Sequence, residues 1–133
     1  MATDYRPGQV AELLGVSVDS VRRWCDEGRI ATTRSEGGHR VIAGSELARY
    51  LRQQADVFEP DGLPAQSARN RFTGIVTRVE RDKLTALVEI QAGPHRVVSL
   101  ITREGVDETG LEPGDLAVAV VKATNVIIEV PRP

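Results

Sequence analysis

Apolar residues recur at helical spacing in the first part of the chain and crowd into short β-branched runs in the second. Val10, Leu13 and Leu14 form one stripe. Val18, Val21 and Trp24 with Cys25 form a second, and Leu47, Tyr50 and Leu51 a third, which predicts three short helices. The first covers Gly8–Leu14. Gly15-Val16-Ser17 then reads as a tight turn, with glycine where a positive φ is convenient. Ser17 is a good N-cap, Asp19 suits the dipole of the next helix, and Gly28 closes that helix after about Glu27. Two short helices joined by such a turn are the helix-turn-helix pattern. Ile30–Arg34 and His39–Ile42 follow as two strands around the hairpin turn Ser35-Glu36-Gly37-Gly38, a small wing.

Further on, Gly74–Val79, Leu84–Ile90, Val97–Thr102, Leu116–Val121 and Val126–Val130 read as five strands. Turn signals at Arg81-Asp82-Lys83, Ala92-Gly93-Pro94, Pro113-Gly114-Asp115 and Thr124-Asn125 separate them. LAVAVV at 116–121 is apolar on both faces, as in a small closed barrel or at a subunit interface. Between the two textures, Gln53–Gln66 breaks both periods and carries Pro60, Gly62, Pro64 and three acids without a basic residue. It reads as an acidic, partly extended linker. The expected organisation is therefore α+β: a winged helix-turn-helix over 1–52, a linker over 53–66 and a small β-barrel over 67–133.

Composition narrows the class. The chain has 133 residues, 41% of them hydrophobic and 27% charged, which suits folded domains rather than a disordered tail. Two units of roughly 60 residues would each have little core, so oligomerisation is expected. The single cysteine, Cys25, excludes an intramolecular disulfide framework and fits a reducing cytoplasm. With only His39 and His95 beside it, a four-ligand zinc site is not expected. No apolar run approaches the ~20 residues that span a bilayer, and the N-terminus is no signal peptide. The net charge of −2 excludes a uniformly basic coat, but residues 1–52 hold eight Arg and no Lys against seven acids. A local basic face remains available.

That face is where nucleic-acid chemistry would sit. A recognition helix needs donors that reach base edges and phosphates. Ser17, Ser20, Arg22 and Arg23 supply them on the second helix, and Arg34, His39 and Arg40 flank the wing turn. An ordinary solvated amphipathic helix is the alternative for the helix taken alone. The segments LGVS, SVRRW, the glycine after the second helix and GGHR resemble the winged helix-turn-helix of the MerR superfamily, above all its small excisionase-like members, over residues ~6–52. The resemblance implies that Ser17, Ser20, Arg22, Arg23 and Arg40 face double-stranded DNA. No long dimerisation helix and no cysteine loop follows, so the dimer and metal sensing of that superfamily are not implied.

In the second half nothing suggests catalysis, and no enzyme is expected. Ser67-Ala68-Arg69-Asn70 and Lys122-Ala123-Thr124 are its chemically dense strings, with Thr102 ending the third strand. Arg, Lys, hydroxyls and loop N–H groups suit a compact tetrahedral dianion. A strand start and a surface lysine would read the same way. Over roughly 62 residues, SARN, GIV, GVDETGL–EPGD and VKATNVII in register resemble the molbindin (Mop, or TOBE) domain. That resemblance implies an OB-like β-barrel binding molybdate or tungstate at interfaces between subunits or paired domains. Ser67, Arg69, Asn70, Thr102, Lys122, Ala123 (through its backbone) and Thr124 would be the ligands. Gly105 stands where many members carry a serine, which leaves that contact to a backbone N–H or weakens one class of site.

Together the halves lead us to expect a cytoplasmic, molybdate- or tungstate-responsive DNA-binding regulator that assembles through its C-terminal domain, as a dimer or a hexamer. Two alternatives stand beside it. One is a molybdate storage or buffering protein with a docking helix-turn-helix. The other is an excisionase-like architectural DNA binder that uses the barrel only to oligomerise.

Overall fold

A computed structural model describes residues 3–54, 60–63 and 70–132. The chain divides into two compact units, Met1–Val57 and Phe58–Pro133.

The first unit holds β1 (Asp4–Tyr5), α1 (Pro7–Leu14), α2 (Val18–Asp26), β2 (Thr33–Arg34), β3 (Arg40–Ala43) and α3 (Gly44–Gln53). Arg6 is extended, as a residue before proline prefers, and Pro7 opens α1. Gly15 closes α1 at φ 69°, a left-handed conformation open to glycine at little cost. Ser17 then caps α2: its Oγ accepts from the Ser20 N–H at 3.1 Å. The wing is the antiparallel pair β2–β3, and β1 adds to the other edge of β3. Val10, Val21, Ile30 and Ile42 are fully buried and form the core with Ala11, Cys25, Leu47 and Tyr50. Trp24 packs its ring against Tyr50 at 5.3 Å between centroids, so its face is used inside the unit.

The second unit is a four-stranded antiparallel sheet in the order β6-β5-β4-β7, forming a half-barrel. Its strands are β4 (Asn70–Arg81), β5 (Thr85–Ala92), β6 (His95–Thr102) and β7 (Leu116–Val121). The first half of β4 pairs with β7 and the second half with β5, with a register shift between Val76 and Arg78. Gly74 sits where β4 changes partners. A Cβ there would lie 2.3 Å from the Gln91 carbonyl oxygen, so the close approach of β5 requires glycine. Val76, Ala86, Val88, Ile90 and Val106 form the core.

Three expectations change. The GVDETG stretch, for which the apolar pattern gives no regular element, is helix α4 (Arg103–Thr109), capped by Thr102 at its start and by Gly110 (φ 64°) at its end. It buries Val106 in the core with Val76. Val126–Val130, expected as a strand, has none: a single 3-10 turn at Ala123–Asn125 ends the regular structure. Ile127 and Ile128 are 86% and 80% exposed. A strand requires a neighbouring edge, and within one chain this segment pairs with none. Finally the sheet is open, with β6 and β7 as its edges, and Leu116 and Val120 of LAVAVV are exposed. The two-faced burial expected for that run is not met inside a single chain. Among the described residues no helix is long and apolar enough to cross a membrane.

Candidate functional site

In the first unit, α2 and the wing bound an open cleft of about 810 Å³. Arg22 and Asp26 line it from α2, Arg34, His39 and Arg40 from the wing, and Arg6 and Glu12 from α1 and its approach. The cap at Ser17 consumes part of the donor set, since its Oγ also lies 2.9 Å from Ser20 Oγ. Arg22 and Arg23 are exposed, and their side chains make no hydrogen bond or ion pair among the described residues. The two wing arginines are different. Arg34 Nη1 donates to the Gly38 carbonyl at 3.1 Å, stapling the turn. Arg40 Nη2 donates to Asp26 Oδ1 at 2.8 Å, tying β3 to the last residue of α2. His39 is exposed, and its backbone N–H donates to Ser35 Oγ at 3.2 Å.

Charges nearby are held structurally. Burial pushes the Cys25 thiol up, a shift that Arg40 opposes by its charge and hydrogen bond. Glu46 is held below the usual carboxylate range, first by its hydrogen bond from Arg49 and then by the Ala31 N–H. Arg49 also donates to the Arg29 carbonyl at 3.2 Å, so α3 braces the chain leaving α2.

In the second unit, register brings together what the sequence keeps 51 positions apart. Asn70 pairs with Val121, and its Nδ2 donates to the Val121 carbonyl at 3.1 Å. Lys122, Ala123 and Thr124 follow directly. Lys122 is the extended cap of the 3-10 turn, so the N–H groups of Ala123 and Thr124 have no partner within that turn. One end of the sheet thus gathers an amide, an ammonium group, a hydroxyl and first-turn N–H groups. That set of donors suits an anion. Ser67 and Arg69 lie outside the described residues.

Thr102 is not at this end. It pairs with Thr85, level with the far end of β4, where Arg81 pairs with Ala86. The 12 residues of β4 span roughly 40 Å at ~3.3 Å per residue. Thr102 therefore cannot share a single small anion with the Asn70 of its own chain. Its Oγ1 accepts from the Gly105 N–H at 3.1 Å, so the backbone donor left by the absent serine at 105 is already engaged.

Elsewhere the sheet is laced by ion pairs. Asp82 is held low by N–H groups of Thr85 and Leu84 and by the Thr85 hydroxyl. Glu89 is held low by Arg96, then by Thr77. Arg81 Nε donates to Asp107 at 3.1 Å, tying β4 to α4. Among the described residues, no group of three or more His, Cys, Asp or Glu could hold a metal ion.

Asp26 is a residue of this cleft that sequence pattern does not single out. Its partner lies 14 positions away, and no local pattern announces the pair. The α4 cap was visible in principle, as a Thr followed eight residues later by Gly around Glu104 and Asp107.

Two family profiles match the chain: a helix-turn-helix domain over residues 5–55 and a TOBE domain over residues 66–128. Molybdenum-pterin-binding protein 2 of Clostridium pasteurianum is 38% identical over 63 residues, covering 47% of this chain and 93% of that protein. Molybdenum-pterin-binding protein MopB of Rhodobacter capsulatus is 25% identical over 141 aligned residues, 98% of this chain. Molybdenum transport protein ModE of Herbaspirillum seropedicae is 32% identical over 101 residues, 74% of this chain. The chain spans about half of MopB (52%) and 38% of ModE.

Proposed function

This chain belongs to the TOBE-domain family, and from that premise we propose that it is a DNA-binding transcription regulator whose second unit senses molybdate or tungstate. The observation that carries the reading is the register of β4 against β7, which sets the Asn70 amide beside Lys122-Ala123-Thr124. A tetrahedral dianion needs charge-assisted and backbone donors, and an amide, an ammonium group, a hydroxyl and first-turn N–H groups are of that chemistry. Ser67 and Arg69 complete the proposed ligand set. The names of the relatives support molybdenum as the ligand's element.

Because Thr102 lies at the opposite end of the sheet, its role is proposed toward an anion held chiefly by a second copy. Exposed Leu100, Leu116, Val120, Ile127 and Ile128 support a second unit that assembles with copies of itself, as a dimer or hexamer. In the first unit, Ser17, Ser20, Arg22, Arg23, Arg34, His39 and Arg40 are proposed to face the duplex, in the manner of excisionase-like MerR relatives. Oxyanion occupancy and DNA affinity would be linked through the arrangement of the assembled units.

Calorimetric titration of the full chain with molybdate, tungstate, sulfate and phosphate tests the sensor. Tight binding of the first two with weak sulfate binding is expected, and equal sulfate affinity refutes it. The storage reading is favoured by one observation: molybdenum-pterin-binding protein 2 is matched over 93% of its length by the second unit's region alone. Duplex binding that ignores molybdate would make storage the better account.

A further inference from the structure

The cleft between α2 and the wing contains an ion pair to which the DNA reading assigns no role. Arg40, the first residue of β3, donates from Nη2 to Oδ1 of Asp26, the last residue of α2, at 2.8 Å. The Asp26 side chain is 63% exposed and that of Arg40 25%. A single charge-assisted bond to an exposed carboxylate is weak in water and exchangeable. Asp26 is also badly placed to stabilise α2, because a carboxylate at a helix C-terminus opposes the macrodipole. Its neighbours in the cleft are not neutralised in this way. Arg22 is unpaired among the described residues, and Arg34 is held by the uncharged Gly38 carbonyl. To a guanidinium, a carboxylate oxygen and a phosphodiester oxygen are equivalent acceptors.

We propose that Asp26 is a specificity-determining residue whose carboxylate stands where a backbone phosphate would bind Arg40. It screens that cation from indiscriminate duplex and releases it only where the other contacts of α2 are met. The proposal rests on the reading of the first unit as a DNA binder. It makes Asp26 a competitor built into the recognition helix, and it makes nonspecific affinity, rather than specific affinity, the quantity that Asp26 controls.

The test uses the full chain and a labelled mixed-sequence duplex, with fluorescence anisotropy read across a series of KCl concentrations. Asp26→Asn keeps size and shape at an exposed position. It should tighten binding at low salt by about three- to tenfold and steepen the slope of log K against log salt by about 0.9, the signature of one more phosphate contact. Asp26→Asn combined with Arg40→Ala should return the slope to that of the unaltered protein. Glu12→Gln makes the same charge change in the same cleft, with no bond to Arg40, and should leave the slope alone. If Asp26→Asn weakens binding or leaves the slope unchanged, Asp26 is a clamp for the wing and the proposal is wrong. Equal steepening by Glu12→Gln also overturns it, since general charge would then suffice. An unaltered protein that shows no salt-dependent duplex binding refutes the DNA reading itself, an outcome separate from those two.

Discussion

Asn70→Ala probes the end of the sheet where β4 meets β7. The amide donates to the Val121 carbonyl at 3.1 Å from a half-buried position, and Lys122 is the next residue along. Losing one intramolecular hydrogen bond costs about 0.5–1.5 kcal/mol. In a unit of this size ~1 kcal/mol corresponds to a midpoint shift of about 4–8 °C. The amide has a second hydrogen that Val121 does not use, and that hydrogen is directed to the anion in our reading. A hydrogen bond to a charged partner contributes ~1.5–3 kcal/mol, so molybdate affinity should fall roughly 10- to 100-fold. Scanning calorimetry at one fixed protein concentration gives the first quantity, and titration with molybdate against a sulfate control gives the second. Asn70→Asp sharpens the contrast, because it places a carboxylate against both the Val121 carbonyl and the dianion. If the midpoint falls but affinity holds, Asn70 is only a strap. If neither moves, the geometric reasoning fails at its root.

Lys122→Ala should cut oxyanion affinity about 10- to 100-fold with little change in melting, as titration and calorimetry will show. Gly74→Ala should destabilise the second unit by about 3 kcal/mol, read by denaturant unfolding, because the new Cβ meets the Gln91 backbone, which cannot give way, as well as the Ile90 side chain. Asp82 has its folded pKa lowered by the Thr85 and Leu84 N–H groups. Its contribution is therefore complete above its unfolded value of ~3.9 and is lost as pH falls through the folded value. A fall in the amide-exchange protection factor of Thr85 (rate relative to the intrinsic rate at each pH) as Asp82 is protonated, absent in Asp82→Asn, checks this. Sedimentation of residues 67–133 alone should show an oligomer, and residues 1–55 a monomer; a monomeric C-terminal fragment would sink the shared-site reading.

Local rules made the first unit legible. The Ser17 cap, the left-handed Gly15 and the GG turn of the wing each depend on a few adjacent residues, and each stands where those residues point. Strand runs were legible as texture, but texture says nothing of partners. Val126–Val130 has the same β-branched character as β7, yet only β7 has an edge to pair with. The seven-residue α4 was hidden because its single buried residue, Val106, gives no apolar period. Asn70 and Lys122 were each recognisable as polar strings. Their meeting at one end, and the exile of Thr102 to the other, follow from register alone. The same holds for Arg40, whose partner on α2 is set by how the wing folds back.

Leu84 in the turn between β4 and β5, Leu100 and Leu116 on the edge strands, and Ile127 and Ile128 beyond the 3-10 turn are exposed in the single chain, Leu84 to 79%. Anything that covers them stabilises the folded unit by mass action, in proportion to the logarithm of its concentration. If that cover is another copy, as we propose, the lifetime of each molecule depends on how many others the cell has made. A sparse population would then be cleared by proteases at the uncovered tail, while a dense one would protect itself. Abundance would thus act as a second input to the switch, coupled to the oxyanion through the shared interface.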